Sequence, residues 1–480
     1  MKLNIENNKQ VSPYAALFFE KQNLLFTEGL SLEAQTKVKS IIHNIEEGVF
    51  DNLEIHSIDS VETIFVQLKG RGLSPLDKLR VAAYKLAKKL KQRKLDSIGI
   101  DLSKASAAEA RSIFHGLYAA EYQFDRYKSK KSTPIDIQYQ IDAKDKTKDF
   151  IRIAKEVEIE QSSIVLTKNW INTPSGDFTP FTFMQEAHKV ADEAELDIKV
   201  RDFEALKAES FNGLVTVGKG SPSKPYLVTL EYKPENAKAN THLVLVGKGL
   251  TFDTGGVSLK PATGMWEMCC DMSGAAAVLG AIRSIALLKL PIRVSAVLCL
   301  AENKIGSNAV LPGDIFTAKN GKTVMVDNTD AEGRLALSDG LAEAELLKAT
   351  HIVDLATLTG AMVRALGYAI TGFFSNDSDL ASKLKDAGEA SCEKLWQLPL
   401  EEEYADGLQG KFADLQNIGA DAGAISAALF LKEFVPENTA WSHLDIAGTA
   451  FTTKEWKYTS YGATGIGVQT LTELARQLGE

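Results

Sequence analysis

The stretch THLVLVGKGLTFDTGG, residues 241–256, starts as a short apolar run and ends in a polar loop rich in glycine. The same unit recurs in the second half of the chain as PYLVTLEY, IRVSAVLCLAEN, KTVMVDN, HIVDLATLTG and WSHLDIAG. Between these runs lie stretches with apolar residues at helical spacing, GAAAVLGAIRSIALLKL (274–290) and RLALSDGLAEAELLK from Arg334. Strands alternating with helices predict a mixed, mostly parallel sheet flanked by helices. Ligands of such sheets bind outside the carboxyl ends of the strands, where these polar loops sit.

Working outward, the first third mixes strand-like runs (ETIFVQL at 62–68, DSIGIDL at 96–102) with helical stretches (76–90 and 106–122). The expected fold is therefore α/β throughout. An N-terminal α/β domain (1–148) is followed by a linking helix (149–172) and a larger α/β domain (173–480). No internal repeat or low-complexity tract interrupts it. The 480 residues are 45% hydrophobic and 24% charged, the profile of a soluble globular protein. A formal charge of −9 argues against a chain built to grip nucleic acid, and the basic stretches 85–94 and 128–132 read as solvated surface. The polar start MKLNIENNKQ lacks a secretory h-region, and runs such as VSAVLCL are too short to span a bilayer. Four cysteines in a chain of this length do not make a disulfide scaffold, so a reduced, cytoplasmic setting is expected.

The chemistry concentrates in three loops. GKGLTFDTGGVSLKP (247–261) carries Lys248, Asp253 and Lys260, the last held out of helix by Pro261. CCDMSGAA places Asp271 just ahead of an alanine-rich helix, where an acid also suits the helix dipole. VDNTDAEGRL (326–335) crowds Asp327, Asp330 and Glu332 ahead of Arg334, whose charge has the wrong sign for a helix N-terminus. In an extended segment Asp330 and Glu332 share a side; at about 6 Å and an effective dielectric of about 20 they repel by roughly 3 kcal/mol. A cation should offset that, although an isolated D-x-E is more often a solvated acidic turn. Gly-Lys-Gly lacks the frame of a phosphate loop, Asp253-Thr254-Gly255 has no second copy to form an aspartic-protease dyad, and GATGIG (462–467) lacks the dinucleotide context. None of the seven histidines falls in these loops. What remains is a carboxylate-rich, histidine-free cluster able to hold two divalent ions about 3.5–4 Å apart. Lysine could join as a ligand only as a neutral amine.

VGKGLTFDTGGVSLKP, MCCDMSGAA and NTDAEGRL, in that order, resemble the signature segments of the leucine aminopeptidase (cytosol aminopeptidase) family. The likeness covers roughly residues 160–480, including NTPSGDFTP, DLATLTGA, FADLQNIG and HLDIAGTA, and is faint in the first 150 residues. It implies metal ligands Lys248, Asp253, Asp271, Asp330 and Glu332, catalytic Lys260 and Arg334, and a specificity pocket lined by Met268, Thr357, Gly360 and Ala447. It also implies two divalent ions per subunit, zinc or manganese first and magnesium or cobalt next, and a bicarbonate-like anion on Arg334. A homohexamer is implied too.

The expected activity is metal-dependent removal of neutral or apolar N-terminal residues, such as leucine, from peptides, with no membrane or nucleic-acid partner. The alternatives are a two-metal hydrolase of another ester or amide class, and a catalytically idle hexameric binding protein.

Overall fold

The computed structural model describes residues 1–480 apart from 7–11, 22, 26–30, 132, 134 and 420. The chain forms two compact units: Met1–Gln161 with Glu455–Ser460, and Ser162–Lys454 with Tyr461–Glu480.

The first unit is built on a seven-stranded sheet. Its path runs Lys2–Glu6, Gln138–Asp142, Ser97–Asp101, Tyr14–Glu20, Val61–Gln67, Ile55–Ile58, with Asn23–Leu25 paired to Tyr14–Glu20. The two helices expected from periodicity are Pro75–Arg93 and Ala107–Ala119. Local chemistry sets their starts. The Ser74 side chain accepts from Asp77 N ahead of a proline in the first turn, and Ser106 and Glu109 form a reciprocal capping box.

The second unit contains an eight-stranded sheet: β1 (Asp197–Arg201), β2 (Tyr226–Tyr232), β3 (His242–Asp253), β4 (Arg293–Asn303), β5 (His351–Ala356), β6 (Thr371–Ser375), β7 (Leu395–Gln397) and β8 (Ala440–Asp445). The spatial order is β7-β6-β8-β5-β3-β4-β2-β1. The middle four strands are mutually parallel, with β2 antiparallel to β4 and β6 antiparallel to β8. Five helices matter here: α1 (Thr147–Asn172), of which Ser162–Asn172 belong to this unit, α2 (Ser273–Leu287), α3 (Gly333–Leu346), α4 (Gly423–Lys432) and α5 (Val468–Gly479).

Two apolar layers cover the two faces of the sheet. Ala275, Leu279, Ile282 and Ile285 of α2 pack with Leu471 and Leu474 of α5 on one face. Leu335, Leu337 and Leu341 of α3 pack with Leu429 and Phe430 of α4 on the other. Each such fully buried aliphatic side chain contributes about 1.5–3 kcal/mol. Burial on both faces explains why β3 reads as a continuous apolar run. The apolar stretch Met265–Leu287 is long enough to cross a membrane, but 89% of its most apolar 18-residue window is buried within the fold.

One strand reading needs correction. KTVMVDN does not enter the large sheet: Thr323–Met325 pairs with Ile315–Thr317 and Leu415–Gln416 in a separate three-stranded sheet. The Asn320-Gly321 turn, with Gly321 at φ +88°, folds the segment back on Ile315–Thr317 first.

Candidate active site

The residues singled out from the sequence meet at the carboxyl ends of the central strands. Lys248 lies within β3 and Asp253 ends it; Asp271 lies on the short 3-10 helix Met265–Met272 that leads into α2. Asp330 and Glu332 sit in the turn that opens α3. That segment is a turn rather than an extended strand, so the two carboxylates converge through backbone curvature and not through a pleat. Asp253, Asp330 and Glu332 each place one oxygen within 4.8 Å of the others.

Two lysines stand among the four carboxylates. The Lys248 ammonium is 2.8 Å from Asp271 Oδ1 and 2.9 Å from Glu332 Oε1, and it donates to Thr357 O at 3.0 Å. The Lys260 ammonium is 2.8 Å from Asp253 Oδ2 and 2.5 Å from Asp330 Oδ1. Burial alone would strip the proton from Lys248, but Asp271, Glu332 and Asp253 outweigh it and hold the ammonium form. The same balance holds Lys260 protonated. Burial pushes Asp271 well up, with Glu332 and Asp253 adding to it and Lys248 opposing it. Glu332 is raised by burial and by the Asp253 charge. Four carboxylates against two ammoniums leave an excess of negative charge in a largely buried place. Asp271 Oδ2 is buried without a hydrogen-bond partner among the described residues. A buried, unpaired carboxylate oxygen is costly unless a cation completes it, so this donor set fits divalent metal ions.

The Asp253 loop is held by its neighbours. Asp253 Oδ1 accepts from Gly255 N and from Asn303 Nδ2, both at 2.8 Å, and Asn303 Nδ2 also donates to Thr329 O at 2.9 Å. Thr329 Oγ1 donates to Gly255 O at 2.6 Å and accepts from Ser258 N at 2.8 Å. These bonds tie the loop carrying Asp253 and Lys260 to the turn carrying Asp330 and Glu332. The turn at Gly255, φ +84°, has no room for a side chain: a Cβ there would lie 2.8 Å from Asp330 Oδ1.

Arg334, the residue with the wrong sign for its place, is buried at the start of α3. Its Nη1 donates to Asn417 O at 2.7 Å, its guanidinium lies 6.0 Å from the Phe430 ring centroid, and its Nε is buried without a partner among the described residues. Burial lowers its pKa to about 10 against the pull of Glu332 and Asp445. Glu332 occupies the N-cap position of α3 yet makes no capping hydrogen bond; its carboxylate is turned to Lys248 instead.

The four pocket candidates fall on three loops. Thr357 follows β5 and donates to Asp271 Oδ1 at 2.7 Å. Gly360 begins the helix Gly360–Leu366 and is exposed. Ala447 follows β8, and Met268 lies, half-buried, on the 3-10 helix with Asp271. Asp445, the last residue of β8, gathers two of these loops: it accepts from Leu358 N, Thr359 Oγ1 and Ala447 N. Met268 shares its short helix with Asp271, whose Oδ1 accepts from Thr357.

Asn303, Thr329, Asn417 and Asp445 carry no role in the sequence reading, yet they organise the site. A usable signal existed, since Asn303 and Asp445 end their strands as Asp253 ends β3.

Comparison with known proteins identifies the family. The profile of the cytosol aminopeptidase family, catalytic domain, matches residues 165–472. That of the family's N-terminal domain matches 64–131, where residue-level likeness had been faint. A probable cytosol aminopeptidase of Chlorobium limicola is 39% identical over 435 residues, 85% of each chain. A mutant of the tomato leucine aminopeptidase superposes with a TM-score of 0.87 at 29% identity, covering 99% of this chain and 96% of that one. The bottromycin maturation enzyme BotP in complex with Mn superposes with a TM-score of 0.85 at 30% identity, covering 98% of this chain and 100% of that one. The chain belongs to the cytosol aminopeptidase family and is a metal-dependent aminopeptidase.

Proposed function

We propose that Lys248, Asp253, Asp271, Asp330 and Glu332 hold two divalent ions, zinc or manganese in preference to magnesium or cobalt. On this reading the enzyme removes neutral or apolar N-terminal residues such as leucine. The observation that carries it is the buried excess of carboxylate over ammonium around Asp271 Oδ2. When bound, the ions supply anchorage for the free α-amine, polarisation of the scissile carbonyl and a water of lowered pKa.

The chain's own groups do the rest. Lys248 must give up its proton to become a ligand, and the carboxylates that now hold that proton are those the ions would engage. Lys260, half-buried on the loop before Pro261, offers an ammonium to the oxyanion that forms at the carbonyl. Arg334, with an unpartnered Nε and one arm fixed on Asn417 O, is the seat for a bicarbonate-like anion that accepts and returns a proton. Met268, Thr357, Gly360 and Ala447 line the pocket for the N-terminal side chain. Residues 173–480 form the catalytic domain, 1–148 the N-terminal domain and 149–172 the helix between. The enzyme works in the cytoplasm as a homohexamer.

The test is to strip the protein with chelator and reload it with Zn²⁺, Mn²⁺, Mg²⁺ or Co²⁺ in turn. Rates are then read on a panel of aminoacyl p-nitroanilides and on p-nitrophenyl phosphate. Metal-restored cleavage of the leucyl anilide, with no cleavage of the phosphate ester, is expected. Cleavage of the ester alone, or no reaction with any metal, would overturn the reading.

A further inference from the structure

Asn417 is fully buried and every polar group it carries is used. Its Oδ1 accepts from Asp327 N at 2.8 Å and Asn328 N at 3.2 Å. Its Nδ2 donates to Asn328 O at 2.7 Å and Ala331 O at 3.3 Å. Its backbone N donates to Met325 O at 3.0 Å, and its backbone O accepts from Arg334 Nη1 at 2.7 Å. One side-chain amide thus closes the turn 327–331 from both its N–H and its C=O sides, and the same residue's carbonyl fixes the arginine that follows. Asn suits this station because it offers two acceptor lone pairs and two donors on a short stem. Asp lacks the donors, and Gln adds a methylene.

The turn is otherwise held at its centre, where Thr329 bonds Gly255, Ser258 and Asn303, and by Ala331 N donating to Asn328 O at 3.2 Å and Asp330 N donating to Asn328 Oδ1 at 2.8 Å. Asn417 alone bonds both ends of 327–331 with one side chain, while Asp330 and Glu332 direct their carboxylates to Lys260 and Lys248. Like-charged groups brought this close push the turn open, and Asn417, anchored beside the three-stranded sheet, holds it shut.

We propose that Asn417 is a positioning residue for the reaction: it holds the turn 327–334 in the one shape that presents Asp330, Glu332 and Arg334 together. The inference rests on the two-metal reading above. Outer contacts that orient a metal's ligands are worth about 10–100-fold in metal affinity or activity.

The experiment uses the full chain, wild type and Asn417→Ala, with Asn417→Gln as a second variant. Manganese affinity is measured by competition with a chromogenic chelator, kcat and KM with the leucyl anilide at saturating Mn²⁺, and folding by near-ultraviolet circular dichroism. The expected result is a 10–100-fold weaker manganese Kd and a kcat down at least tenfold at saturating metal. KM should move less than threefold, and Gln should not rescue. A folded variant with manganese affinity and kcat within twofold of wild type would overturn the proposal. So would failure of both variants to fold, which would make Asn417 a scaffold residue only. If the wild type itself binds no manganese and cleaves no anilide, the functional reading above fails instead, so the two failures are distinguishable.

Discussion

At the scale of the residue, Gly333 shows how tightly the site is drawn. A Cβ on it would lie 2.5 Å from Lys248 Cε and 2.7 Å from Nζ. The clash is with the far end of a side chain, but that end is buried and ion-paired, so Lys248 must leave its place between Asp271 and Glu332. Breaking a buried ion pair costs about 3–5 kcal/mol. Gly333→Ala should therefore lower the unfolding temperature of the metal-free protein, and manganese affinity and kcat should fall at least tenfold. Unchanged metal affinity in that variant would remove Lys248 from the ligand set. The charged members of the site were legible because lysines and carboxylates inside glycine-rich loops are odd company. Asn417 was not, because asparagine in a loop is ordinarily a turn residue bonding its own backbone. Only the fold reveals that the bonds of Asn417 reach the turn 327–331, some 90 residues away in sequence.

Among the elements, the central strands β3, β4, β5 and β8 were readable as apolar runs because both their faces are covered. Of the outer strands, β2 was readable as PYLVTLEY, and β1, β6 and β7 were not. DIKVR alternates charge with apolar residues as a one-sided edge strand does, and TGFFS and LWQ are too short to stand out. α5 poses a different question, since its amphipathic pattern marks a helix but nothing local caps it. Gly467 provides no side chain at its start. The buried carboxylate of Glu393 does so from a distance, accepting from Gly467 N, Thr470 N and Thr470 Oγ1. A negative charge at a helix N-terminus contributes about 1 kcal/mol, up to about 2 in buried settings. Glu393→Gln keeps the acceptor and loses the charge, so the unfolding temperature should drop by about 2 °C with kcat and KM unchanged. A drop in kcat with no thermal shift would show that α5 is not held in this way.

For the molecule as a whole, the two compact units divide within the helix Thr147–Asn172, and the sequence does not show how the first of them closes. No local signal marks Glu455–Ser460 as part of the first unit. Its membership comes from contacts such as Lys457 with Asp77 at 2.9 Å and Tyr458 under Arg80. The site, in contrast, lies wholly in the second unit, and its charge is unbalanced there. A ligand that binds only the closed site stabilises it by RT ln(1 + [L]/Kd), about 2.7 kcal/mol at one hundred times Kd. Amides that exchange through opening of the site loops should then exchange about 100-fold more slowly. Manganese at that concentration should protect the segments 253–260, 327–334 and 415–418. Strands Tyr14–Glu20 and Val61–Gln67 of the first unit, which have no part in the site, should keep their rates. Hydrogen exchange followed by peptide mass spectrometry reads both at once. Equal slowing in both units would mean that the metals tighten the whole molecule and not the loops. No slowing at 253–260 and 327–334 would mean that the four carboxylates do not bind the metal, however closely they are gathered.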